Sequence, residues 1–146
     1  MFEVSAECSE LVVRSPETPS TYVRLFDWAR LDEHEAAFAM EAVADGLHAR
    51  LDSVSVSVWD SAGDLTEFLD ALADDFRGWE GKRTWVTNQL ALTATFHAGG
   101  HVQLRWDLRP GVFAEDSWTC SVTTTLEAGE QMSRLSSDLR SFLHQG

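Results

Sequence analysis

The chain has 146 residues, 44% of them hydrophobic and 24% charged, and a formal net charge of −13. That length is the size of one ordinary domain with enough chain to bury a core, so 1–146 is read as a single domain. So acidic a chain is repelled by phosphate backbones, which excludes nucleic acid from the expected partners. It also contains no run of about 18 apolar residues that would span a membrane.

The first eight residues, Met1 to Cys8, are acidic and lack a basic-then-apolar leader pattern, so a cytoplasmic location is expected. The two cysteines, Cys8 and Cys120, lie far apart in sequence. In a reducing compartment they are expected as buried thiols.

Taken in order, Glu10-Leu11-Val12-Val13-Arg14 reads as a strand, stopped by the prolines Pro16 and Pro19. A second β-rich run covers 21–28, and the acidic stretch 32–35 reads as a loop. Residues 36–44 are ambiguous, because Ala36, Ala37, Ala39, Met40, Glu41 and Ala42 favour a helix. Asp45-Gly46, however, is a strong two-residue hairpin signal. It predicts strands near 37–44 and 47–58, with Phe38, Met40 and Ala42 on one side. The alternation changes phase between Leu51 and Val54, which places a bulge or bend at Asp52-Ser53.

From Asp64 the period changes. Leu65, Phe68, Leu69, Leu72, Ala73 and Phe76 keep the i, i+3, i+4 spacing of a helix with one apolar stripe. Asp64 and Glu67 suit a capping-box-like start, and Gly78 suits the left-handed residue that closes a helix. A turn rich in Trp and cations follows, Gly78 to Trp85. Period two then returns in three runs: Leu90, Leu92, Ala94, Phe96; Val102, Leu104, Trp106, Leu108; and Trp118, Cys120, Val122, Thr124, Leu126. The last segment, 128–143, places Met132, Leu135, Leu139, Phe142 and Leu143 on one side of a second helix. Segregated strands with two helices predict an α+β domain. It consists of an antiparallel β-sheet of about six to seven strands with two amphipathic helices packed on one face.

Few residues point to chemistry. There is no G-x-S-x-G elbow, no phosphate-binding Gly-Lys-Ser/Thr loop, no H-E-x-x-H and no C-x-x-C, so no enzyme is expected and no cofactor. His97 and His101 flank the Ala98-Gly99-Gly100 turn and oppose each other across a three-residue loop. That makes them weak metal candidates, since no carboxylate or thiol clusters with them in sequence. The outward face of the last three strands carries Thr93, Thr95, His97, His101, Gln103, Arg105, Asp107, Thr119, Ser121, Thr123 and Thr125, either a solvated face or a platform for a partner.

The acids Glu67, Asp70, Asp74 and Asp75 lie on the polar side of the first helix. Trp79 and Arg83 follow in the turn, where an aromatic beside a cation is the composition of an interface hot spot. The plainer reading has Trp79 and Trp85 covering the helix end while Arg83 pairs with a carboxylate or stacks on a ring.

The pattern Phe68-Leu69-x-x-Leu72, Gly78-Trp79-x-Gly81-x-Arg83-x-Trp85, Gly100-His101-Val102-x-Leu104, then Trp118 and Leu126-Glu127-Ala128-Gly129-Glu130, resembles a small uncharacterised bacterial family. That family is a domain of unknown function common in high-GC Gram-positive bacteria. The resemblance runs from about Leu11 to Leu143 and carries over no catalytic residue. In layout and acidity the chain is also similar to immunity proteins that neutralise WapI-type contact-dependent toxins.

These readings rank an acidic protein-binding module first. Its concrete form is an immunity protein that masks a basic toxin or another basic protein, with Glu67, Asp70, Asp74, Asp75, Trp79 and Arg83 as the binding residues. A homo-oligomeric accessory protein is second. A small-ligand or enzymatic domain is third, with the Trp residues lining its pocket and His97, His101 and Arg105 nearby.

Overall fold

The structure, a computed structural model, describes residues 2–4, 10–57, 65–111 and 118–143. It is α+β, with two antiparallel sheets and two helices. The first sheet holds β1 (Phe2–Val4), β2 (Glu10–Arg14), β3 (Tyr22–Arg30), β4 (Glu35–Ala44) and β5 (Leu47–Ser57), in that order. After it comes α1 (Leu65–Asp74). The second sheet holds β6 (Lys82–Val86), β7 (Leu90–His97), β8 (His101–Leu108) and β9 (Cys120–Glu127), also in chain order, and α2 (Glu130–Leu143) closes the chain. Five strands and a helix are thus followed by four strands and a helix.

The single sheet predicted from sequence is therefore corrected to two. Two strands escape pattern reading because they are short: β1, and β6, which occupies the end of the segment read as a turn. At Ser55 side chains, rather than a strand, cover the outer edge of β5. The Ser55 N–H donates to Gln89 Oε1 at 3.1 Å, and the Thr87 hydroxyl donates to the Ser55 carbonyl at 2.8 Å. These bonds satisfy edge groups that would otherwise recruit another strand.

Residues 36–44 are strand. Ala36 to Met40 are all buried, because β4 sits between β3 and β5 and small residues fit a strand covered on both faces. The bulge predicted at Asp52-Ser53 is present: Met40 pairs with Leu51 and Phe38 with Val54, so two residues oppose Ala39 alone. A second bulge, not foreseen, interrupts β3 between Phe26 and Ala29, and there Asp27 takes φ 53°.

One apolar cluster draws on both sheets and both helices, including Leu25, Phe38, Met40, Leu69, Leu92, Trp106 and Phe142. Burial of a leucine or phenylalanine side chain of this kind stabilises the fold by roughly 1.5–3 kcal/mol each. Within the cluster the rings of Phe38 and Phe142 meet edge to face with centroids 5.8 Å apart, which docks α2 on β4. Trp106 donates its indole N–H to Thr124 Oγ1 at 2.9 Å, and this explains how a threonine is fully buried in β9.

Three sequence expectations change. Helix α1 ends at Asp74, so Phe76 leaves the apolar stripe and is 52% exposed. Trp118 precedes β9 and is exposed instead of sharing the inward face of Val122 and Leu126. Cys120 is a half-buried free thiol, held above its ordinary pKa by burial and by the nearby Asp107 carboxylate. The expectations for Cys8, Trp59 and the Asp64 cap lie outside the described residues.

Candidate functional site

The end of α1 and the strand that follows bring three of the six predicted residues together. Asp75 accepts an amide bond from Gly78 through its carbonyl at 2.9 Å, and the chain reverses at Gly78 with φ 116°. That reversal lays Trp79 edge-on against Phe96 of β7, with centroids 5.4 Å apart. Arg83 of β6 then stacks over the Trp79 ring at 4.6 Å and donates to the Asp75 carboxylate at 2.6 Å. Asp75, Trp79 and Arg83 form a lock between the helix end and the second sheet. Gly78 belongs to it as well, because a Cβ there would come within 2.9 Å of the Phe96 ring.

Asp70 is engaged elsewhere. It accepts a hydrogen bond from the Ser136 hydroxyl and pairs with Arg140, both on α2, so it ties the two helices together. Of the six predicted binding residues, four therefore have partners inside the protein. Glu67 and Asp74 are the two that remain exposed, and neither makes an ion pair among the described residues. Between them and the next turn stands a residue that sequence reading assigned to the core. Phe76 lies against the β9–α2 connection, its Cβ 3.9 Å from where a Cβ on Gly129 would sit, and shows half of its surface to solvent. The missing signal was the helix end: the apolar period continues to Phe76 while the helix itself stops two residues earlier.

The two histidines face each other across the hairpin as the spacing predicted, His97 opposite His101 in the β7–β8 register. His97 Nε2 lies 2.9 Å from Gln103 Oε1. Among the described residues no group of three or more His, Cys, Asp or Glu is placed to hold a metal. The outer face of the second sheet is polar, with Arg105 donating to Asp107 at 3.1 Å and the Ser121 hydroxyl donating to the same carboxylate. The tryptophans among the described residues do not converge on one cleft. Trp85 and Trp106 are core residues, Trp28 and Trp79 pack partly against the core, and Trp118 faces solvent.

The cations cluster differently. On the outer face of the first sheet, Arg24 and Arg50 place their guanidinium carbons 3.8 Å and 5.0 Å from the Phe26 centroid. Arg24 also donates to Glu10 at 2.7 Å and to Glu41 at 2.8 Å, and Glu41 meets His48 at 2.9 Å. This face is an internally compensated network, whereas Glu67 and Asp74 make no ion pair among the described residues.

The sequence model of a family described as "Family of unknown function (DUF6228)" matches residues 14–146. No curated protein and no solved structure matches the chain.

Proposed function

The chain belongs to that family, and we propose that it is an acidic protein-binding module whose partner is a basic protein, in the manner of an immunity protein masking a basic toxin. The observations that carry this reading are the half-exposed Phe76 ring just past the end of α1, which Arg77 meets at 5.5 Å, and the exposed carboxylates of Glu67 and Asp74 on the helix itself, which make no ion pair among the described residues. An exposed aromatic supplies desolvation energy at the centre of an interface, and surrounding acids steer and select a cationic partner. The net charge of −13 adds a long-range field of the same sign. Trp79 and Arg83 enter this reading as the support that holds the helix end in place, and Phe76 replaces them as the anchor.

Capture of partners from the native host, followed by mass spectrometry and calorimetry on the purified pair, tests the proposal. The expected result is a basic partner whose affinity falls at least tenfold, about 1.4 kcal/mol, for Phe76→Ala combined with Glu67→Lys and Asp74→Lys. A purified partner that binds the triple variant as tightly as the parent would overturn it.

A further inference from the structure

A groove lies beside the β9–α2 connection, and we infer that it is a socket for a single cationic side chain, an arginine or lysine of the basic partner. This rests on the binding-module reading and gives that partner a second point of attachment. The groove measures about 170 Å³ and opens where the loop after β2 crosses the outer face of β9.

One wall is the loop 15–21, held in shape by two turns, Thr18 N–H to the Ser15 carbonyl at 3.2 Å and Thr21 N–H to the Thr18 carbonyl at 2.9 Å. Ser15, only 5% exposed, anchors this wall by accepting the Thr125 N–H at 2.8 Å. The other wall carries His101, Thr123 and Thr125. A site fixed by turns and a cross-chain hydrogen bond is formed before a ligand arrives, which lowers the ordering cost of binding.

The lining decides the ligand class. Glu17 and Glu127 contribute two carboxylates, no lysine or arginine lines the groove, and neither carboxylate makes an ion pair among the described residues. Threonine hydroxyls supply further acceptors for an N–H donor, and the Gln131 carboxamide oxygen already accepts the Glu127 N–H at 2.8 Å. An arginine fork presents five donors and suits carboxylate acceptors such as these two. The volume is below the roughly 300–1,000 Å³ of small-molecule sites, so it fits one side chain better than a whole metabolite. Placement agrees: Glu127 lies two residues before Gly129, against which Phe76 rests, so one partner surface can reach both features.

The test titrates the intact protein with L-arginine amide at constant ionic strength, read by amide chemical shifts. A saturable shift confined to His101, Thr123, Thr125 and their neighbours is expected, with binding weakened about tenfold in Glu17→Gln/Glu127→Gln. These two exposed, isosteric changes should leave the melting temperature and far-ultraviolet spectrum unaltered, so loss of binding is not loss of fold. Shifts spread evenly over the acidic surface, or unchanged in the double variant, would overturn the socket. That outcome leaves the Phe76 reading standing, since the latter depends on different residues and on the captured partner.

Discussion

Ser15 and Thr125 are 110 residues apart in sequence, yet the hydroxyl oxygen of the first accepts the backbone N–H of the second at 2.8 Å. The bond covers one position on the open edge of β9 and joins the first half of the chain to the second. Ser15→Ala removes the acceptor and leaves a part-buried donor without its partner. The expected cost is about 1–2 kcal/mol, a fall of a few degrees in melting temperature, read by calorimetry.

Two glycines separate backbone strain from steric conflict. Gly78 and Gly81 both have positive φ, 116° and 77°. At Gly81 nothing lies within 4 Å of an added Cβ, whereas at Gly78 the Phe96 ring is 2.9 Å away. Gly81→Ala should therefore cost only the conformational term, about 1 kcal/mol. Gly78→Ala should cost about 1–3 kcal/mol more, because Phe96 must move off Trp79. Equal losses in denaturant titrations of the two variants would count against the helix-end lock.

Acid should weaken the network over Phe26. Burial pushes the Glu41 carboxyl up, but hydrogen bonds from His48 and Arg24 outweigh it and hold it below its ordinary range. A carboxyl with a depressed folded pKa contributes stability that is complete above its unfolded value and is lost as pH falls through its folded value. Glu41→Gln should thus lower stability by about 1–2 kcal/mol at neutral pH. The gap to the parent should close as pH drops through and below the ordinary carboxylate range. A gap independent of pH in parallel thermal melts would contradict this assignment.

Asp138 on α2 behaves in the opposite sense. Burial raises its carboxyl above the ordinary value, against a smaller lowering by Arg134 one turn earlier. Its ionised form is therefore disfavoured by folding, and the penalty is present above the folded pKa and relieved as pH falls through it. Asp138→Asn should raise the melting temperature at neutral pH and lose that advantage in acid.

Local chemistry was readable in the sequence and long-range assembly was not. Asp45-Gly46 announced a hairpin and the phase change at Asp52-Ser53 announced its bulge, because each signal is contained within a few residues. The Ala-rich 36–44 segment defeated propensity, since its strand state comes from burial between β3 and β5. Strand β6 was hidden by Trp85 and the cations beside it, which read as a turn. Of the binding residues, Glu67 and Asp74 stayed exposed, but the partners of Asp70 are on α2, 66 and 70 residues away. The arginine-sized groove was invisible for the same reason, because loop 15–21 and β9 meet only in the folded chain.

Every strand in the two sheets pairs with the strand beside it in sequence. Few residues need to be looped out before each hairpin gains its contacts, so the entropic toll of closing the chain is light within either half. The union of the halves through α1, α2 and the Ser15–Thr125 bond is a step that must search over long distances. Refolding should then proceed with two meanders gaining amide protection early and Thr125 gaining it last, an order that pulse-labelled hydrogen exchange reads directly.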